Sequence, residues 1–526
     1  MLMTDVLIVG YGPVGEMLTI LLAQRGLTVT AVERWETPYN FPRAVSYDGE
    51  ASRILAAAGV ADRLGPVVES SGEYTFKNGF GRTLLHVKVA GDGPMGWPDS
   101  VSFYQPGLEA VLAERGTELP GVTVLRPYVV TTLTEHDDRV EVTIDGPEGP
   151  QVRAARWVVG CDGANSFVRE HLGSTVTDLG FTHDWLVCDV VPNEAREFKP
   201  NNLQVCDPAR PRTAVSAGPG HRRWEFMRVS GESREEFESV DSVWRLLGLF
   251  DITPDNATLE RYGVYTTQAC SADRWRSGRI LLAGDAAHVM PPFMGQGMSS
   301  GFRDALNLAW KLDLVHRGLS DEALLDTYQQ ERCAHVQHAI KMSMDSGTVI
   351  CETDRTAAAG RDSIMLAELR RRTTRARTRS LLEALVSGVL HRPDGSVGPG
   401  PGAGEPMPQG HVEVDGRAGL FDDVVGTGFA LICAEDPAEL LDADARAFLD
   451  SLGARLVRVV PAGAPAPAAG AGTTVEDLDD VYLSHLKRHD AAAVLVRPDF
   501  YVFGTAADPA AVPALVDDLR QQVRRG

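Results

Sequence analysis

Short, wholly apolar runs alternate along the chain with glycine turns and one-sided helices. Val6, Leu7, Ile8 and Val9 form the first run, unbroken as a parallel strand buried on both faces must be. After a glycine turn, Val14, Met17, Leu18, Leu21 and Leu22 recur on one helical face, and Gly26 stands where a helix C-terminal glycine belongs. Residues 28–32 give the second strand, so the opening predicts a βαβ unit with a right-handed crossover. Two later runs, Trp157-Val158-Val159 and Ile280-Leu281-Leu282, also stop at glycine–acid turns. Between them, over residues 183–263, strand-like segments punctuated by Pro, Gly and Asn predict a separate sheet inserted into the first domain. A long helical stretch is expected after Asp285, to about Gly347.

Residues 391–410 are rich in Pro and Gly and read as a linker. A smaller α/β unit follows, with strand candidates at Leu420, 430–432, 456–460, 493–496 and 501–503. The Pro/Ala/Gly run 461–474 reads as a surface loop within it.

Composition narrows the function classes. A chain of 526 residues exceeds one ordinary core. Its formal net charge of −21 argues against nucleic acid and anionic membranes as partners. The seven cysteines (161, 188, 206, 270, 333, 351 and 433) include no CxxC, and no two lie closer than 18 residues. That spacing offers no zinc site, redox pair or disulfide framework, and a reducing cytoplasm is expected. The N-terminus has no basic segment ahead of its apolar run, as a signal peptide would, and no stretch is long enough to span a bilayer.

Three motifs carry chemistry. Gly10-Tyr11-Gly12-Pro13-Val14-Gly15 follows a strand and opens a helix. Its glycines serve a tight turn, close approach to a pyrophosphate and helix–strand packing. The helix start offers free N–H groups to phosphate, and Glu33, 18 residues after Gly15, can accept hydrogen bonds from a ribose diol, with Arg34 beside it. The second motif runs from Arg279 to His288 and sets Gly284-Asp285 at a strand end, where the carboxylate can hold a ribityl hydroxyl. Pro291 to Met298 can then lay backbone against a flat ring, with the helix expected to begin near Met298 facing an anion. The third motif, Asp162-Gly163 through Arg169, again suggests backbone near phosphate.

In this order and spacing, the motifs resemble those of the group A flavoprotein monooxygenases, the p-hydroxybenzoate hydroxylase superfamily, over roughly residues 4–345. Segments at 41–44, 96–98, 105–106, 206–211, 222–227 and 328–332 are similar to 3-(3-hydroxyphenyl)propionate hydroxylases. The resemblance extends to related aromatic polyketide hydroxylases. It implies an α/β fold: a Rossmann-like FAD-binding domain of the GR2 type (residues 1–75, 99–182 and 264–390), an inserted substrate-binding sheet (76–98 and 183–263), the linker and a thioredoxin-like C-terminal domain (411–526), the last identified on 496–502. It further implies that Arg43 and Gln105 contact a non-covalent FAD, that Asp285 holds its ribityl chain, and that Asp162 lies where FAD and nicotinamide phosphate binding overlap. Pro292, Gly295, Gln296, Gly297 and Met298 would lie beside the isoalloxazine. NADH or NADPH would reduce the flavin, and O2 would give a C4a-hydroperoxyflavin that hydroxylates a phenol. Ser299 departs from the Asn of many relatives, and Phe293 and Met294 replace a bulkier Trp-containing loop.

Further substrate candidates come from alternation and from the family segments. Arg222, Trp224 and Phe226 share one strand face, and Arg223, Glu225 and Met227 the other; either face can line a cavity or be an ordinary sheet surface. Arg222 and Trp224 are taken as the lining pair, with Trp97, Tyr265, Phe293 and Met294. His288 reads as a packed loop residue rather than a base. The Arg370–379 basic run reads as a solvated helix face. The C-terminal unit, without a paired thiol, reads as structural or as a homodimer contact. Two alternatives stay open: a tailoring oxygenase, including Baeyer–Villiger insertion, on a polycyclic polyketide, and a flavin-binding sensor or assembly protein without turnover. A flavin halogenase is disfavoured because the eight tryptophans include no WxW pair.

Overall fold

The structure is a computed structural model that describes residues 3–38, 41, 43–88, 91–371, 383–393, 396, 398–464 and 472–525. Its first sheet is built on parallel pairs, in the order Ile280–Leu282, Gln151–Gly160, Met3–Val9, Val29–Val32, Val122–Leu125. The apolar runs read from the sequence occupy its centre and are fully buried, as strands covered on both faces require. Helix Pro13–Ala23 connects the first two strands, and Gly26, at φ 86°, turns the chain out of it.

The second sheet runs Ala257–Thr267, His183–Pro192, Arg222–Met227, Arg212–Ser216, Asn202–Cys206, Glu73–Asn78, Thr83–Lys88. One of its faces is sealed by helix Val240–Leu247, beneath which Leu186, Cys188, Val190, Trp224 and Phe226 form a separate apolar cluster. The other face looks toward the 291–298 loop and helix Asp326–Ile350.

The stretch expected to be one long helix is two, Gln296–His316 and Asp326–Ile350, joined by the loop and short 3-10 turn at 317–325. Gly318, at φ 69°, and Ser320 break the apolar period there.

The third sheet has the order Arg417–Leu420, His411–Val414, Thr473–Asp477, Arg455–Pro461, Ala430–Cys433, Ala493–Val496, Val502–Ala506. His411–Val414 and Thr473–Asp477 were not among the expected strands. Residues 391–410 are no free spacer. The N–H groups of His391, Gly404 and Met407 donate to the carbonyls of Phe503, Val502 and Phe500, and that of Gln409 to Pro94. The Pro/Gly composition concealed these pairings, because it describes backbone freedom and not the edge against which the backbone lies. Residues 465–471 of the expected surface loop, and Arg372, Arg375, Arg377 and Arg379 of the basic run, lie outside the described residues. Among the described residues, no helix is long and apolar enough to cross a membrane.

Candidate active site

The glycine fingerprint divides its work as the spacing predicts. A Cβ on Gly10 (φ 96°) would stand 2.5 Å from the Cys161 carbonyl oxygen, and one on Gly15 would stand 2.2 Å from that of Gly10. Both glycines are therefore demanded by packing. Gly12 has nothing within 4 Å of such a Cβ, so its open side faces the space a ligand would take. Helix Pro13–Ala23 begins there without a side-chain cap, leaving first-turn amides free. Glu33 lies at the end of the neighbouring strand, where its carboxylate accepts from the backbone N–H groups of Tyr11 (2.8 Å) and Trp35 (2.9 Å). It thus fixes the loop around the fingerprint, with lone pairs left for a diol. Arg34 reaches the Asp162 carbonyl at 3.5 Å, which links this strand end to the 162–169 turn.

The Asp162 carboxylate serves its own turn. It accepts from Ser166 Oγ at 2.5 Å and from the Val168 N–H at 3.1 Å, at the start of the short helix Phe167–His171. Burial raises its pKa against those hydrogen bonds. Arg169 donates to the carbonyls of Ala164 (2.7 Å) and Ala286 (3.0 Å), tying this turn to the Gly284-Asp285 turn. Asp285 itself makes no side-chain hydrogen bond among the described residues. Gln105 is buried, donates to Glu109 Oε1 at 2.5 Å, and leaves its amide oxygen without a partner among the described residues. Arg43 is exposed, and its carbonyl accepts from Arg223.

Behind the Gly284 turn lies a device that the motifs alone do not reveal. Asp304, fully buried, accepts from the Gly284 N–H (3.1 Å), His288 Nε2 (2.7 Å) and Arg332 Nε (2.8 Å). Burial opposes its ionisation, but the charges of His288 and Arg332 outweigh burial and hold it below the ordinary carboxylate range. His288 is therefore a pinned packing residue. The adjacent Arg303-Asp304 pair within the helical stretch was the signal available.

The 291–298 loop makes a 3-10 turn at Pro292–Met294, reverses at Gly295 (φ 63°) and enters helix Gln296–His316, two residues earlier than expected. The Gln296 side chain turns away to accept from Arg303 Nη1 at 3.2 Å, so what this residue offers the open side is backbone. Nothing lies within 4 Å of a Cβ on Gly297, and Met298 is half-buried beside it. Gly12 and Gly297 open, Asp285 without a hydrogen-bond partner among the described residues and two helix starts together make a cradle that suits a dinucleotide such as FAD.

Of the substrate candidates, the structure brings three together. Phe293 packs edge-on against Trp185 (ring centroids 5.6 Å apart) and Phe181 (6.0 Å). Met294 Sδ accepts from Ser346 Oγ at 3.1 Å. Tyr265 pairs across the sheet with Trp185, which pairs in turn with Met227. The Tyr265 hydroxyl and the Trp185 indole N–H are buried without a partner among the described residues.

Two others must be corrected. Trp224 lies under helix Val240–Leu247 on the far face. Arg222, on that face too, stacks over Phe198 at 4.2 Å, donates to Asn201 Oδ1 at 2.6 Å and lines a separate open groove of about 750 Å3. Alternation grouped these residues correctly, but the cover supplied by a helix near residue 244 decided which face looks inward. Trp97 belongs to a turn packed beside Gly49, whose neighbour Gly96 abuts Gln409 and Leu420 of the C-terminal unit.

The inward face instead presents Arg223, Glu225 and Asp189. Arg223 grips Asp189 twice, at 2.6 and 2.9 Å, and Arg261 Nε adds a third bond at 2.7 Å. Asp189 is held low because these two guanidinium groups outweigh its burial. Among the described residues one cation comes within 4 Å of Glu225, Arg223 at 3.9 Å, and burial pushes the Glu225 pKa up to about 7.

Comparison with known proteins agrees with this geometry. The FAD binding domain family matches residues 3–343, and the HcaD C-terminal domain family matches 404–522. The chain is 39% identical to the probable NADH-specific resorcinol 4-hydroxylase of Rhodococcus jostii (strain RHA1), covering 98% of this chain and 94% of that one. It is 34% identical to the 3-(3-hydroxy-phenyl)propionate/3-hydroxycinnamic acid hydroxylase of Klebsiella pneumoniae (strain 342), covering 95% and 92%. A crystal structure of aklavinone-11 hydroxylase with FAD and aklavinone superposes with a TM-score of 0.79 at 25% identity, over 99% of both chains. The chain therefore belongs to the family of FAD-dependent, NAD(P)H-consuming aromatic hydroxylases.

Proposed function

We propose that this enzyme hydroxylates a single-ring phenol beside an existing hydroxyl, with NADH as reductant. The observation that carries the reading is the inward sheet face. Phe293, Phe181 and Trp185 form an aromatic wall beside the 291–298 loop, and buried donors and a carboxyl stand next to it with no protein partner among the described residues. The likeness to a resorcinol hydroxylase supports both the ring size and the reductant.

In this reading Gly10, Gly12, Pro13, Val14 and Gly15 receive the pyrophosphate, Glu33 and Arg34 the adenosine ribose, and Arg43, Gln105 and Asp162 the middle of a non-covalent FAD. Gly284 and Asp285 hold the ribityl chain. Backbone from Pro292 and from Gly295 to Met298 lies along the ring, where amide donors favour an anion. Bound FAD, once reduced by NADH, supplies an electrophilic oxygen atom from O2. The protein orients the phenol and excludes water.

The C-terminal unit reads as thioredoxin-like on its strand order: Thr473–Asp477, Arg455–Pro461 and Ala430–Cys433 are parallel, and the next two strands antiparallel. Without a paired thiol its role is structural.

The test is to mix the holoenzyme with NADH or NADPH and a panel containing resorcinol, 3-(3-hydroxyphenyl)propionate and a polycyclic phenol. One oxygen gained per NADH oxidised, with a single-ring phenol, is expected. Product from the polycyclic compound alone would make this a tailoring oxygenase. Hydrogen peroxide as the sole product, or no stimulation by any compound, would overturn hydroxylation altogether.

A further inference from the structure

We infer that Glu225 takes the proton of the substrate phenol. The inference rests on the proposed function and assigns within it the group that ionises the ring.

Glu225 sits mid-strand in Arg222–Met227, paired across the sheet with Val187 and Thr213, one step along the inward face from the Trp185–Met227 pair. Its residue exposure is 8%, yet its carboxyl makes no hydrogen bond among the described residues. A deeply buried carboxyl without a protein hydrogen-bond partner is rare unless a ligand completes it. The groups that face it are the Arg223 and Asp189 pair, Tyr265 from strand Ala257–Thr267 and Tyr74 from strand Glu73–Asn78. Arg223 is already committed to Asp189 and Arg261 likewise, so neither cation is spent on neutralising Glu225. The result is a carboxyl held near 7, where a general base is most useful.

Its neighbours fit the same role. Asp189, one residue pair further along, is fixed as an anion and cannot exchange protons in this range. Both tyrosines are raised by burial, so they stay protonated and can only donate. Among these described groups, Glu225 is the one poised to change protonation state. The step balances simply. The phenol O–H breaks, its proton passes to a Glu225 oxygen, and the oxygen pair is released into the ring at the carbons ortho and para to it. The new C–O bond forms at such a carbon as the O–O bond to the transferred oxygen breaks, the other oxygen leaving as water; that carbon then loses its proton and Glu225 returns its own to the ring oxygen, which restores the aromatic phenol. Overall, phenol, O2, NADH and one proton give the dihydroxylated product, NAD+ and water.

The experiment compares the FAD-loaded wild type with E225Q and E225D. Resorcinol hydroxylation by the wild type should rise with pH along a limb near 7, because the carboxylate form is needed. In E225Q, product formation at pH 7 should fall about a hundred-fold, the usual worth of a general base. The limb should also move up toward the ionisation of free resorcinol, and E225D should restore it in part. As an equilibrium readout, bound 4-nitrophenol should show its yellow phenolate band at a lower pH in the wild type than in E225Q. Flavin absorbance and melting temperature establish that each variant is folded; if E225Q does not load FAD, the displaced limb of E225D decides. An unchanged limb and an unchanged 4-nitrophenol spectrum in the substituted enzyme would overturn the assignment. A wild type that ionises bound 4-nitrophenol through Glu225 but hydroxylates no phenol would sink the proposed function instead.

Discussion

Two buried polar clusters flank the core of this enzyme, and they are built on opposite terms. One joins the C-terminal unit to the two long helices. Arg497 donates to both oxygens of Glu331 (3.0 and 2.7 Å) and both of Asp499 (3.0 and 2.6 Å), and Lys311 adds 2.7 Å to Glu331. Asn307 and Trp310 also donate to Asp499. Two cations meet two anions, every charged group is bonded, and within this cluster only the Asn307 amide oxygen lacks a partner among the described residues. The other cluster, around Glu225, leaves a carboxyl, a tyrosine hydroxyl and an indole N–H unsatisfied by the described residues. Desolvation is costly in both places. Where protein groups answer it completely, the cluster is a fastener; where they do not, a ligand is expected to.

The largest effect should come from breaking the fastener. Arg497→Met leaves Glu331 and Asp499 buried with Lys311 alone to balance them. A loss of about 3–5 kcal/mol is expected, the range for removing one member of a buried ion pair. Urea unfolding followed by flavin and tryptophan fluorescence measures it. A loss under about 1 kcal/mol would mean that the cluster holds nothing together. For the same reason, removing residues 411–526 should cost the rest of the chain its stability rather than its chemistry.

Next in size is cofactor retention. Asp285→Ala removes a carboxylate with no protein hydrogen bond among the described residues, so the fold should survive while a ribityl hydroxyl loses a charged acceptor. That is about 1.5–3 kcal/mol, or roughly a 10- to 150-fold weaker FAD. Equilibrium dialysis reads it directly. Equal retention by both proteins would remove Asp285 from the cofactor site.

Tyr265→Phe sharpens the contrast between the clusters. A hydroxyl bonded within the protein costs stability when removed; an unsatisfied one does not. The melting temperature should therefore hold or rise, while KM for the phenol should climb by a factor of about 2–12, equivalent to about 0.5–1.5 kcal/mol. A fall in melting temperature with KM unmoved would assign the hydroxyl to the protein interior.

The two clusters also differ in how far the sequence exposes them. The three glycine motifs are local: turn, strand end and helix start lie within a few residues of one another, so spacing alone sets Gly10, Gly12 and Gly15 in one strand-to-helix turn and Glu33 and Asp285 at strand ends. Alternation likewise put Arg223, Glu225 and Met227 on one face. What it could not convey was which face turns inward. That depends on helix Val240–Leu247 covering Trp224 and on Phe293 arriving from more than 60 residues beyond Glu225. The fastener was the least legible part. Glu331, Arg497 and Asp499 are scattered charged residues in sequence, and only the return of the last strands onto helix Gln296–His316 makes them one unit.

The smallest effect predicted concerns the one cysteine of the C-terminal unit. Cys433 ends strand Ala430–Cys433 and is fully buried among Leu431, Phe448 and neighbouring core residues. Burial pushes its thiol up to about 12, so at neutral pH it is neither a nucleophile nor a redox partner. Residues 411–526 hold no second cysteine for it to pair with. Cys433→Ala removes one buried sulfur and should cost about 1 kcal/mol of stability or less, as small core truncations do. The rate of flavin reduction by NADH, followed anaerobically by loss of the flavin band, should not change. A slowed reduction in a protein with normal FAD content would give the C-terminal unit an electron-carrying role. It would also mean that this unit does more than brace the fold, since Cys433 lies outside the fastener cluster and could affect the flavin only by another route.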